Sequence, residues 1–162
     1  MTARNIRFEE SSSKNGKRTV LVVDDEDLVL SMVYEILKDD YNIVRTNSAR
    51  DSISRIKQDG DISCVVMDIK MPDMDGITAA RRIHEENSEL PVIFHTGYPG
   101  DYEEDEIDRR EKPYEYVLKG DSISRLTRAV KRAVEHYLLK QKYRRLQNQI
   151  SRVNFRSHQG LS

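Results

Sequence analysis

The chain has 162 residues, with 27 basic and 28 acidic side chains, one cysteine and no tryptophan, for a formal net charge of −1. That length suits one domain with some chain left over. A single Cys excludes a disulfide framework and a Cys/His zinc site, and no apolar stretch is long enough to span a bilayer. The near-zero net charge hides a division: about −13 over residues 19–121, about +9 over 122–162 and about +3 over the first eighteen. The N-terminus lacks the apolar region of a secretion signal, so the expected location is cytoplasmic.

Residues 1–18 are polar, with Ser11-Ser12-Ser13 and Gly16, and read as a mobile arm. Thr19-Val20-Leu21-Val22-Val23 is a β-branched apolar run that predicts a strand buried on both faces, ending in Asp24-Asp25-Glu26-Asp27. Leu28, Leu30, Met32, Val33, Ile36 and Leu37 then recur mostly at helical spacing. A shorter, more polar strand over 41–46 suits a sheet edge. Ser48 is placed to cap the second helix, which Gly60 ends. The third strand, 62–68, carries the lone Cys64 as a small buried hydrophobe and delivers Asp68 to its end. Met71-Pro72 stops that strand, since Pro has no N–H for a ladder, and Asp75-Gly76 is turn chemistry before a third helix over 77–86.

Pro91 to His95 reads as the fourth strand, ending at Thr96-Gly97. The segment 101–110 should be the fourth helix, but it offers only Tyr102 and Ile107 as apolar anchors among many acids, so a short or irregular helix is expected. A fifth strand over 114–118 ends at Lys119-Gly120. Asp121 or Ser122 caps a long final helix. Strict alternation of strands and helices means parallel strands with crossover helices on both faces. The expected fold is therefore α/β: a doubly wound (βα)5 unit with a five-stranded parallel sheet and an extended C-terminal helix. The order 2-1-3-4-5 is adopted from flavodoxin-like sheets of this size rather than derived from the pattern.

In that arrangement strands one, three, four and five bring Asp24 and Asp25, Asp68, Thr96 and Lys119 to one edge of the sheet, where such folds bind ligands. Crowded carboxylates repel one another unless a cation is present. A hard divalent ion with oxygen ligands relieves this, and Mg²⁺ is the usual one where phosphate is handled. A Lys and a Thr hydroxyl opposite the acids suit phosphoryl oxygens, and a carboxylate can itself be the nucleophile that forms an acyl phosphate.

These pieces resemble the receiver domain of two-component response regulators. The matching motifs are Val22-Val23-Asp24-Asp25-Glu26, the run from Val65 through Asp68-Ile69-Lys70-Met71-Pro72 to Asp75-Gly76, Ile93-Phe94-His95-Thr96-Gly97, and Tyr116-Val117-Leu118-Lys119. The resemblance covers 19–139, leaving 140–162 as a basic helical extension or linker with no output domain and no nucleic-acid-binding domain expected. It implies that Asp68 accepts phosphate from a phosphohistidine on a sensor histidine kinase or phosphotransfer protein. It implies Mg²⁺ held by Asp24, Asp25, Asp68 and the backbone carbonyl of Lys70, and a phosphoryl group bound by Thr96 and Lys119. Thr96 and Tyr116 take the switch positions, and the output face is the fourth helix, fifth strand and final helix. Lys70 and Tyr98 take the positions that tune dephosphorylation, with Tyr98 shielding the acyl phosphate. Such a chain is not a classical enzyme, since it catalyses only its own phosphorylation and dephosphorylation. The alternative on the same fold is a pseudo-receiver, a binding module that never carries phosphate; a flavin carrier is disfavoured because an acid-lined pocket repels a flavin phosphate.

The chain departs from the family at Gly120, where receivers usually have Pro, and in the acidity of 101–110. His95 reads as a packed residue rather than a phosphate donor, His136 as a surface residue, and Glu103-Glu104-Asp105-Glu106 as a solvated acidic face. In the final helix Ile123, Leu126, Val130, Ala133 or Val134, and Tyr137 form a stripe suited to its own sheet. Leu139, Tyr143, Leu146, Ile150 and Val153 then recur four and three apart, a heptad seam out of phase with that stripe. The seam points to a homodimer through the C-terminal helix. The flanking bases oppose this, leaving docking on an acidic face, an anionic surface or a solvated tail as the other readings.

Overall fold

The computed structural model describes residues 16–97 and 113–159, except for the side chains of 154–159. The elements are β1 (Thr19–Val23), α1 (Asp27–Leu37), β2 (Asn42–Thr46), α2 (Ala49–Gln58), β3 (Ile62–Met67), α3 (Gly76–Glu86), β4 (Val92–Thr96), β5 (Glu115–Leu118) and α4 (Ile123–Gln159). The fourth helix expected over 101–110, Tyr98 and most of the N-terminal arm lie outside the described residues. The final helix is therefore α4 here.

All strand pairings are parallel and the order is β2-β1-β3-β4-β5, as expected. Alternation along each strand divides two apolar cores. Val20, Val22, Cys64, Val66, Ile93 and Val117 face α1 and α4. Leu21, Val23, Val65, Met67, Val92 and Phe94 face α2 and α3. Every residue of β1, β3 and β4 is buried, whereas β2 is mostly half-buried, which is why its sequence is the more polar one. The end of the arm that is described is tied to this edge: Asn42 N–H donates to the Arg18 carbonyl at 2.9 Å, and Lys17 Nζ donates to the Lys38 carbonyl at 3.1 Å.

Helix starts follow local chemistry. Ser48 Oγ accepts from Asp51 N–H at 3.1 Å, and Asp75 Oδ1 accepts from Thr78 N–H at 2.8 Å. On α1 the buried face is Leu30, Val33 and Leu37, while Leu28 (82% exposed) and Met32 lie on the outer face, although the sequence stripe includes them. Helix α4 begins on the sheet with Leu126, Ala129, Val130, Ala133 and Val134 buried, then continues for 37 residues in all, a rod of about 55 Å at 1.5 Å per residue. It passes 139/140 without a break. Asn87 Nδ2 donates to Tyr137 Oη at 2.9 Å, Gln141 Nε2 donates to Glu89 Oε2 at 3.1 Å, and Arg144 pairs with Glu89 at 2.8 Å. Docking therefore extends one turn past the boundary read from sequence.

Candidate functional site

The site is built where β1, β3, β4 and β5 end. Asp68 follows β3, and its N–H donates to the Val23 carbonyl at 2.8 Å, extending the β1–β3 ladder by one residue. Its Oδ1 accepts from Ile69 N–H at 2.8 Å, so the carboxylate is fixed by its own loop. Asp24 is seated the same way at the end of β1, with its N–H donating to the Thr46 carbonyl at 3.2 Å and its Oδ1 accepting from Glu26 N–H at 2.9 Å. Asp24 and Asp68 are 1% and 5% exposed, while Asp25 faces solvent. Carboxylate oxygens of the three lie within 4.8 Å of one another.

Lys119 crosses to this cluster from the end of β5. Its N–H donates to the Thr96 carbonyl at 2.8 Å, so the strand-end ladder ties the two phosphoryl-binding candidates together. Its Nζ lies 2.9 Å from Asp24 Oδ2, 3.0 Å from Glu26 Oε1 and 3.1 Å from Asp68 Oδ2. Gly120 forms the turn that follows, which Asp121 closes: its N–H donates to the Leu118 carbonyl at 2.9 Å and its Oδ2 accepts from Leu118 N–H at 3.0 Å. The Lys119-Gly120 bond is trans.

Burial sets the electrostatics. Desolvation pushes the Asp24 and Asp68 carboxyls above the ordinary range, opposed by hydrogen bonds and by Lys119. Burial pulls the Lys119 ammonium down, but Asp24, Glu26 and Asp68 outweigh it and hold the group well above its usual value. The site is thus one fixed cation among buried acids, with room for the acids to be neutralised further. Three carboxylates of all-oxygen character, two buried and one facing solvent, fit a hard divalent cation better than a soft one.

The loop between β3 and α3 is held from both sides. Asp73 accepts from Ser48 Oγ at 2.9 Å and from Arg50 N–H at 3.0 Å, capping α2 from a distant loop. Gly76 opens α3 against the backbone of Asp68: its N–H donates to the Ile69 carbonyl at 2.7 Å, and a Cβ at this position would lie 2.0 Å from the Asp68 carbonyl oxygen. Only glycine admits that approach. Lys70 lies exposed on the same loop.

Thr96 is buried at the end of β4. Tyr116 projects to the α2/α3 side, its ring centroid 5.6 Å from that of Phe94 and its hydroxyl oxygen buried. Tyr116, which takes a switch position by the resemblance, is packed against this core in the structure. His95 is 4% exposed, and burial, with the Lys119 charge, lowers its pKa to about 4. Sequence reasoning quoted Glu26 in a motif without giving it a role, and missed Asp73 and the part played by Asp121. Only the position of Glu26 beside Asp24-Asp25 gave a signal.

The family model for the response regulator receiver domain matches residues 20–131. The chain belongs to this family. Among curated relatives, this receiver is 31% identical over 134 residues to the regulatory protein AtoC of Escherichia coli (strain K12), covering 82% of this chain and 28% of AtoC. It is 33% identical over 82 residues to the response regulator receiver protein CpdR of Brucella abortus (strain 2308), covering 51% of this chain and 68% of CpdR. It spans only 11% of the length of the sensor kinase CckA of the same organism, to which it is 29% identical over 103 residues. Among solved structures, a response regulator receiver domain protein from Clostridium thermocellum is 25% identical with a TM-score of 0.67, covering 75% of this chain and 98% of that one. The fold is also that of the response regulator TrrA from Thermotoga maritima, solved in complex with Mg(2+)-BeF (24% identical, TM-score 0.64, covering 72% of this chain and 98% of that one). Among the described residues, no helix is long and apolar enough to cross a membrane.

Proposed function

We propose that the receiver is a phosphorylation switch in which Asp68 is the acceptor. The reading rests above all on the buried Asp68 carboxylate, which lies with Asp24 and Asp25 in one acid cluster and 3.1 Å from the Lys119 ammonium. Transfer from a phosphohistidine forms a bond from a carboxylate oxygen of Asp68 to phosphorus as the P–N bond breaks, and the imidazole leaves. The donor is a sensor histidine kinase or a phosphotransfer protein, and the expected setting is the cytoplasm. Asp24, Asp25, Asp68 and the Lys70 carbonyl would hold Mg²⁺, which when bound neutralises charge building on the transferred group. Lys119 and the Thr96 hydroxyl orient and bind the phosphoryl oxygens. The change then passes from Thr96 through the Tyr116–Phe94 packing to an output face that includes β5 and α4. The C-terminal helix pairs two copies. The chain catalyses nothing beyond its own phosphorylation and dephosphorylation.

Incubation with a small phosphodonor and Mg²⁺, followed by intact-mass measurement, tests this reading. One added phosphate is expected for the wild type, lost in Asp68→Asn and without divalent metal. Uptake by Asp68→Asn at the wild-type rate would overturn the assignment. A wild type that never gains phosphate but still binds its partner would instead be a pseudo-receiver.

A further inference from the structure

We propose that two copies of this chain join through α4 as a parallel, in-register, two-stranded coiled coil. The proposal deepens the reading that the helix pairs copies, and it is independent of phosphoryl transfer. Among the described residues the seam is continuous and exposed. Leu139, Tyr143, Leu146, Ile150 and Val153 are 66, 63, 48, 60 and 62% exposed on one continuous helix. Spacings of four and three put Tyr143 and Ile150 at a, and Leu139, Leu146 and Val153 at d.

Helix geometry sets the seam on the free side. At about 100° per residue, its centre lies roughly 200° around α4 from the stripe of Leu126, Val130, Ala133, Tyr137 and Arg144 that docks on the domain. A second helix on the seam therefore meets no part of its neighbour's sheet, and the two domains lie outside the pair. Glu89, which binds both Gln141 and Arg144, fixes the direction in which the helix leaves. A free helix of two heptads is marginal in water, but this one continues a helix already packed on a sheet, so its nucleation cost is met before pairing.

Charge fits a parallel, in-register pair. In a parallel in-register pair, a g residue faces the e residue five positions on in the other chain. Glu135 is at g and Lys140 at e, so each Glu135 faces the Lys140 of the second copy, twice by symmetry. Glu135 is the last acid in the chain. The next such pair is Lys142 with Gln147, and no like charges meet. Arg144, Arg145 and Arg152 fall at b and c, away from the contact. An antiparallel pair over the same seam loses the Glu135–Lys140 match and sets Glu135 opposite the last turn of the second helix, around Arg156 at g. Ile150 at a between Leu146 at d and the following turn follows the pattern that favours two strands.

The test uses the full chain. Light scattering with increasing concentration should show a dimer, which becomes a monomer in Leu146→Asp/Ile150→Asp while the unfolding midpoint of the domain stays unchanged. Lys140→Glu sets Glu135 against an acid and should weaken association roughly fivefold. Adding Glu135→Lys should restore it, because the two residues do not face each other within one helix. Under mild oxidation, Ile150→Cys should link to its own copy, since identical a residues lie within disulfide reach in a parallel pair; Arg145→Cys, at c, should not. The native Cys64 is buried and does not compete. A monomer at all concentrations, including one that binds anionic vesicles or duplex DNA, would overturn the proposal. So would a trimer, or linking that needs Leu146→Cys mixed with Ile150→Cys, the mark of an antiparallel pair. None of these outcomes depends on whether Asp68 takes phosphate.

Discussion

At the acid pocket, Lys119 reaches Glu26 across 93 positions of sequence and Asp68 across 51. In the outer half of α4, the side chains that matter are three and four residues apart on one helix. The pocket is assembled by the sheet, which brings strand ends together wherever they lie in the chain. Its core, Asp24 and Asp68, is buried and shares the single cation of Lys119. The seam needs no tertiary contact to exist, and its side chains are exposed among the described residues. A change in the pocket should therefore be felt in chemistry and in folding together. A change in the seam should be felt in association alone.

The largest expected break is at Lys119. Lys119→Ala removes the cation shared by Asp24, Glu26 and Asp68. Phosphorylation by a small donor should fall by about a hundredfold, the scale for losing one preorganised donor to a developing anion. Divalent metal should bind more tightly to the unmatched acids and restore much of the lost stability. Titration calorimetry and thermal unfolding with and without Mg²⁺ measure both. Weaker metal binding would mean that Lys119 orders the site instead of competing for it.

His95 offers a second break, in pH dependence. Its folded pKa of about 4 lies below the unfolded value of 6.5, so the unfolded chain binds the proton more readily between the two. The stability contributed by neutral, buried His95 is full above pH 6.5 and is lost as pH falls toward 4, a change of about 3 kcal/mol. Denaturant unfolding across that range should show the loss, and His95→Gln should remove it. An unchanged profile in the variant would place the titration elsewhere.

The smallest effect sharpens the electrostatic account. Asp68 has a folded pKa above its unfolded one, so its ionised form opposes folding at neutral pH and the penalty is relieved as pH falls into the ordinary carboxylate range. Asp68→Asn should therefore raise the melting temperature by a few degrees near pH 7, with a smaller gain near pH 4. Saturating Mg²⁺ should shrink the difference, because the ion binds the Asp68 carboxylate and binds the Asn variant less tightly. A lower melting temperature would show that the pair with Lys119 outweighs desolvation.

The strands, most helices, and the placement of Asp24, Asp68, Thr96 and Lys119 at strand ends were legible in the sequence, because runs of buried β-branched residues and their stop signals are local. The seam was legible for the same reason. Other features were decided only by the tertiary structure. Glu26 joins the Lys119 cluster because β1 and β5 end at the same edge, and Asp73 caps α2 because the β3–α3 loop folds over it. Gly76 is required by the Asp68 carbonyl, which is eight residues away in sequence but in contact in space. Leu28 and Met32 share the helical stripe of α1 yet stay outside, because the sheet covers only the face carrying Leu30, Val33 and Leu37. Periodicity tells which side chains share a face; what lies against that face depends on segments that the local pattern does not contain. Glu89 shows the same at the far edge of the domain, where it holds Gln141 and Arg144 and so carries the docked part of α4 past the point where its apolar stripe ends.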